Sequence, residues 1–393
     1  MPVMRTIRLI VCAIAYLAGA APPGCSQVDP AKTDMPPNLP AAASSSWHFV
    51  VAGDSRNCGD VIMPAIAEGA RQHNAQFYWQ LGDLRKISDI DEDYQQLAAR
   101  MNRHPSREEY LERAWKDFIA NQILPFRTIP FFVGIGNHET IPPKTREQFV
   151  AQFEQWLNSP EIKAQRLKDN PQDAQVKTYY HWVRDGIDFI YLDNASQDEF
   201  DPRQLKWFED LLSREQADSG IRTVVVGMHA ALPESISANH SMNAWPLGVE
   251  SGRRVYQDLL KLQKEGHKLV YVLASHSHFF MDGTFNTEYW RTHGGVLPGW
   301  IIGTAGAQRY PLPPNWQDAQ IAKTNVYGYL LATVNPPGQP AGTIQFDFQQ
   351  IDERQIPSDI MDRFTERFVE QCFSGNRRKE GFAEPTPRTQ PSP

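Results

Sequence analysis

The chain has few cysteines, only four in 393 residues, and no Cys-x-x-Cys pair, which excludes a zinc site built on thiolates. It has no basic block either. A formal net charge of -7 with Lys and Arg spread thinly excludes a protein that holds nucleic acid by counterion release. There is no internal repeat. No apolar run is long enough for a comfortable membrane span, the best being Leu9–Leu17, which Pro22-Pro23 ends. What remains is ordinary for a packed globular chain: 41% hydrophobic, 11% aromatic and 22% charged residues.

The first residues read as an address. Arg5 and Arg8 precede the apolar run, and Ala18-Gly19-Ala20 fits the small-x-small rule for cleavage, so residues 1–20 are expected to be a signal peptide. The mature protein would then be secreted or periplasmic, with no transmembrane span. Cys25 raises lipid anchoring, but Pro22 stands where a lipobox wants an aliphatic residue. Residues 21–46 are rich in Pro, Ala and Ser and read as a disordered lead-in. Cys58 and Cys372 remain, and the sequence leaves open whether they form a disulfide or two buried thiols.

Structure is expected over 47–351, where short apolar runs end in polar clusters again and again. Trp47–Ala52 empties into Gly53-Asp54-Ser55-Arg56, 77–81 into Gly82-Asp83, and 129–133 into Gly136-Asn137-His138-Glu139. Residues 189–192 lead to Asp193-Asn194, 223–226 to Gly227-Met228-His229, and 269–273 to Ser275-His276-Ser277-His278. Runs of this length bounded by turn residues predict buried strands. Helical patterns lie between them, with Asp201-Pro202 as a start signal and Gly266 as a stop. Helical insertions are expected near 89–124 and 145–169. After His278 the pattern turns to strands, then to a C-terminal helix over 352–375 and a disordered tail over 376–393. An α/β (α+β) sandwich follows: two mixed β-sheets packed face to face with helices outside, four layers in all.

In strand-helix sheets, ligands gather at the carboxyl ends of strands. Asp54, Asp83, Asn137, His229, His276 and His278 would meet there, and oxygen with imidazole nitrogen is a donor set for divalent metals. A shared carboxylate plus a few ligands each would hold two metals about 3.5–4 Å apart.

The motif order resembles the calcineurin-like metallophosphoesterase superfamily, which includes the purple acid phosphatases. The resemblance implies that Asp54 and His278 bind one metal, Asp83 bridges both, and Asn137, His229 and His276 bind the second. It also implies that hydroxide held between the metals attacks phosphorus while His138 protonates the leaving oxygen, with Glu139 orienting the His138 ring. The two divalent ions would be manganese, iron or zinc. The substrate would be a small-molecule or nucleotide phosphate ester, a monoester or a diester, with no specific nucleic-acid partner. The resemblance departs at Arg56, where the family pattern has a ligating His, at Ser275 in place of Gly, and at Leu84-Arg85-Lys86, where the purple enzymes carry a Tyr. Arg56 has two readings, a contact to substrate phosphate or an ion pair with a carboxylate. Arg85 and Lys86 are further candidate phosphate contacts. The competing reading is a metal-binding envelope protein whose first site Arg56 has disabled. Asp193 and Asn194 are read as strand-end structure, and His240 and His293 as the other histidines nearest the pocket.

Overall fold

A computed structural model describes residues 45–196, 199–237 and 240–378. The expected signal peptide, most of the expected lead-in and most of the expected tail lie outside the described residues. Twelve strands among the described residues form two sheets. The first sheet contains β1 (Trp47–Ala52), β2 (Tyr78–Gln80), β3 (Phe131–Val133), β11 (Tyr327–Val334) and β12 (Ile344–Ile351), in the order β12-β11-β1-β2-β3. The second contains β4 (Tyr180–Arg184), β5 (Ile187–Leu192), β6 (Thr223–Met228), β7 (Leu269–Ala274), β8 (Phe280–Asp282), β9 (Gly299–Ile302) and β10 (Ile321–Lys323), in the order β10-β8-β9-β7-β6-β5-β4. β1, β2 and β3 run parallel, as do β5, β6, β7 and β9, while the β11–β12 flank of the first sheet and both flanks of the second are antiparallel. The sheets are therefore mixed, as expected.

The sheets face each other through aromatic rings. Phe49 of β1 meets Phe189 of β5 edge-on at 5.2 Å, Trp79 of β2 meets Trp182 of β4 at 5.3 Å, and Phe132 of β3 stacks on Trp182 at 4.0 Å. Such pairs add specific geometry to the area they remove from water. Alternation along β6 shows why its run is continuously apolar: Val225 points into the inter-sheet core, while Val224 and Val226 point to the outer helices. Those helices are α6 (Pro202–Ala217) and α7 (Pro246–Glu265), which bury Leu205, Phe208, Leu211, Val255 and Leu259. Asp201 caps α6 by accepting from the Arg203 and Gln204 N–H groups, the role its position before Pro202 predicts. On the far side α1 (Gly59–Gln72) covers β11 and β12.

The insertions are helical: α2 (Glu92–Arg100), α3 (Arg107–Phe118), α4 (Arg146–Leu157) and α5 (Pro160–Asp169). After the short α8 (Glu288–Thr292), the C-terminal segment forms two helices, α9 (Ser358–Arg363) and α10 (Glu366–Ser374), because Thr365 leaves the helix to cap the Phe368 N–H. A disulfide joins Cys372 of α10 to Cys58 at the start of α1, with Cα atoms 6.0 Å apart. Among the described residues no helix is long and apolar enough to cross a membrane.

Candidate metal centre

β1, β2 and β3 of one sheet and β6 and β7 of the other point their carboxyl ends at one edge of the sandwich, and their loops supply the site. The loops approach so closely that side chains are excluded at two positions. A Cβ on Gly82 would lie 2.7 Å from the Gly136 nitrogen, and one on Gly136 would lie 2.4 Å from Asp83 Oδ1. Asp54, Asp83 and His276 all adopt left-handed backbone, with φ of 59°, 54° and 65°. Side chains other than glycine adopt this at a cost of about 1–3 kcal/mol each, and such strain collects at functional sites. The surrounding hydrogen bonds hold it: the Asp54 N–H donates to Gly82 O at 3.0 Å, and the Glu139 carboxylate accepts from the Asp83, Leu84 and Gly136 N–H groups at 2.8–3.0 Å.

All six expected ligands come together. Asp54, Asp83, His229 and His278 are buried, and Asn137 and His276 are half-buried. Asp83, His229 and His276 form one group and Asp54, Asp83 and His278 another, each with its ligand atoms within 4.8 Å of one another. Asp83 is common to both.

The chemistry of the atoms fits a cation at this cluster. His229 Nδ1 lies 3.0 Å from Leu81 O, which can only accept, so Nδ1 carries a hydrogen and Nε2 faces inward. Nε2 meets Asn137 Oδ1 at 2.9 Å, His276 Nδ1 at 3.0 Å and Asp83 Oδ1 at 3.2 Å. In the other group His278 Nδ1 donates to Gln308 O at 2.6 Å, so Nε2 presents its lone pair 3.2 Å from Asp54 Oδ1. Asp54 Oδ1 and Asp83 Oδ2 are buried with no hydrogen-bond partner among the described residues. Buried acceptors facing one another are costly unless a cation lies between them. The donor set suits a divalent metal.

The same crowding sets the charges of the centre. Burial, with Asp83 adding, pushes Asp54 up to about 7 against His229 and Arg56. Burial would also raise Asp83, but His229, His138, Arg56 and His276 hold it below the usual carboxylate range. Burial first, then neighbouring positive charge, keeps His276 and His278 well below the usual histidine range, so both are neutral and able to ligate.

Three other expectations meet a different geometry. Glu139 does not touch the His138 ring. Its carboxylate is taken by the three backbone N–H groups above, and the His138 Nδ1 lies against Lys86 O. Arg85 is fully buried among Asp60, Asp93 and Asp117, so it cannot reach a phosphate. Lys86 Nζ is engaged by Glu92 at 3.1 Å and Asp89 at 3.5 Å. Arg56 lies inside the centre: Nη2 is 2.8 Å from His278 Nε2 and 3.5 Å from Asp83 Oδ2, and Nη1 contacts His138 Nε2. The carboxylate-pairing reading of Arg56 matches this geometry. Burial and then Arg56 push His138 down to about 4.

Several positioning groups carry no sequence signature. Backbone carbonyls of Leu81, Lys86 and Gln308 orient the histidine rings. Ser275 Oγ, where Gly is usual, donates to Leu81 O at 2.7 Å. Asn194 holds the His229 loop by pairing both ways with Ala230, at 2.7 and 3.1 Å. Tyr310 stacks on His278 at 4.0 Å, and the His240 ring lies 5.4 Å from that of His276. His293 stacks instead on Tyr289, within its own short helix region, at 4.0 Å.

A family model described as calcineurin-like phosphoesterase matches residues 48–280. No curated protein sequence matches the chain. Among solved structures it is similar to a purple acid phosphatase from yellow lupin seeds, at 15% identity and a TM-score of 0.49, covering 78% of this chain and 52% of that one. It is also similar to a dimetal phosphatase from Danio rerio, at 11% identity and a TM-score of 0.46, covering 77% and 96%. The chain thus spans about half the length of the lupin enzyme.

Proposed function

We propose that this chain, which belongs to the calcineurin-like phosphoesterase family, is an exported metal-dependent hydrolase of small phosphate monoesters or diesters, nucleotides included, with a cation on each side of Asp83. The observation that carries this reading is the buried convergence of oxygen and imidazole groups on Asp83, in which Asp54 Oδ1 and Asp83 Oδ2 have no hydrogen-bond partner among the described residues. Manganese, iron and zinc all suit this donor set.

Divalent metal held there supplies acidified water and neutralises charge developing on a phosphoryl group. The chain's own residues supply the rest. Asp83 reaches both positions, one oxygen toward His229 and the other toward Arg56. Asn137, His229 and His276 complete one position; Asp54 and His278 line the other. His138 keeps its hydrogen on Nδ1, against Lys86 O, so Nε2 is the exchangeable atom. In the free centre Nε2 faces Arg56 Nη1 and the ring is neutral. A substrate phosphate beside the ring favours its protonated form and competes for Arg56, which readies Nε2 to protonate the departing alkoxide.

Export is supported by the leader-like residues 1–20 and by the Cys58–Cys372 disulfide, which persists in oxidising compartments. An intact mass beginning at Ala21 in the extracytoplasmic fraction is the expected result.

The test of activity is turnover of p-nitrophenyl phosphate and of its bis ester by the full chain, with metal content counted alongside. Hydrolysis that chelation abolishes and manganese, zinc or iron restores is expected. Metal bound at Asp83 without turnover of either ester would instead leave a metal-binding envelope protein, the reading that Arg56 favours.

A further inference from the structure

The two positions beside Asp83 are not equivalent. In the one formed with Asn137, His229 and His276, the facing atoms are Asn137 Oδ1, His229 Nε2, His276 Nδ1 and Asp83 Oδ1, and among the described residues no Lys or Arg pairs with them. The other already contains a charge. Arg56 Nη2 donates to His278 Nε2 at 2.8 Å, occupying the lone pair a metal would need, and lies 3.5 Å from Asp83 Oδ2. The residue is only 9% exposed, and a guanidinium keeps its charge because it does not deprotonate in proteins.

Its backbone is fixed as firmly as those of the ligands. The Ser55 N–H donates to Asp83 O at 3.0 Å, the Cys58 N–H donates to Arg56 O at 2.9 Å, and Cys58 is tied by its disulfide to α10. The guanidinium is thus aimed into the position rather than swept through it. A guanidinium has no lone pair, so it cannot serve as a ligand to a metal and can only stand in for one. A divalent ion placed beside it would meet a like charge in a dry, buried pocket, where repulsion is poorly screened.

We propose that Arg56 is the built-in cation of the Asp54–Asp83–His278 position, so that this hydrolase works with one exchangeable metal ion, held by Asp83, Asn137, His229 and His276. The proposal rests on the reading of Asp83 as the centre of a metal site, and its test separates the two. The full chain is loaded with excess manganese, desalted, and its metal counted by mass spectrometry. The wild type is expected to retain a single ion per chain and to give the electron paramagnetic resonance spectrum of an isolated manganese. Arg56→His and Arg56→Ala should each rise to two ions, with an exchange-coupled spectrum. His229→Ala should lose the ion, and Asp54→Asn should keep it. Two ions or a coupled spectrum in the wild type would overturn the proposal, and so would retention of metal by His229→Ala. The wild-type spectrum decides the matter even where a variant fails to fold. A single ion without phosphoester turnover would reject the hydrolase reading while leaving Arg56 in its place, and two ions with turnover would do the reverse.

Discussion

Two buried charge clusters lie side by side in this chain, two residues apart at Asp83 and Arg85, and they are built on opposite plans. Around Arg85, carboxylates from separate elements converge on one guanidinium: Asp60 at 2.5 Å, Asp93 at 3.0 Å, Asp117 in contact and Asp91 at 3.9 Å. Neutral donors meet the remaining oxygens, with Asn121 and Gln122 both 2.9 Å from Asp60. Excess negative charge is relieved by protonation, since burial above all raises Asp93 well above the carboxylate range and Asp117 to about 7. Around Asp83 the acceptors face one another instead, and two carboxylate oxygens have no hydrogen-bond partner among the described residues. Both clusters are rich in Asp. The difference teaches that a carboxylate count says little; what separates a structural cluster from a metal centre is whether the chain brings its own donors. Arg56 makes one half of the centre resemble the Arg85 cluster.

The contrast can be broken in several places. Asp83→Ala should release all bound metal and lower kcat/KM by at least about a thousandfold, measured with metal content on the same sample. Arg85→Met leaves buried carboxylates without their cation and should cost about 3–5 kcal/mol in urea unfolding. A loss below about 1 kcal/mol would mean that the cluster does not depend on it. His138→Ala should keep its metal yet slow esters with poor leaving groups by about 10²–10⁴-fold, good leaving groups less. Loss of metal in that variant would make His138 a ligand. Asp54→Asn should leave the metal-free protein as stable as before or stabilise it by about 1 kcal/mol, because a charge facing lone pairs is removed; the same change at Asp60 should destabilise.

A third cluster gives the smallest and most graded effect. Burial alone would lower His181, but Asp188 and Asp169 on its two ring nitrogens push it up to about 10. The folded value lies above the unfolded one of about 6.5, so its stabilisation is full below that pH and is lost as pH rises through about 10. The thermal midpoint should fall across this window, and His181→Gln should remove most of the slope.

Much of the centre was legible because strand physics is local. An apolar run ending in Gly-Asp or Gly-Asn-His announces both a buried strand and the side chain at its mouth, and the close approach of Gly82 to Gly136 requires those glycines. The two-sheet sandwich followed from the same runs. What stayed hidden depends on partners far away in sequence. Leu84-Arg85-Lys86 reads as a cationic loop beside a phosphate site, yet Arg85 turns inward because Asp60, Asp93 and Asp117 converge there from three different helices. Glu139 seemed to be a partner for the next ring, whereas it serves three backbone N–H groups that have no side-chain signature. Cys58 and Cys372, 314 residues apart, could be paired only once α1 and α10 were seen to meet. The direction of Arg56 was equally out of reach, since both of its readings suit a guanidinium near Asp83.

Anomalous diffraction from a manganese-soaked crystal tests the central claim most directly. The strongest peak should lie between Asp83, Asn137, His229 and His276, at bonding distances of about 2.0–2.2 Å. No peak there, with these side chains still facing one another, would contradict it.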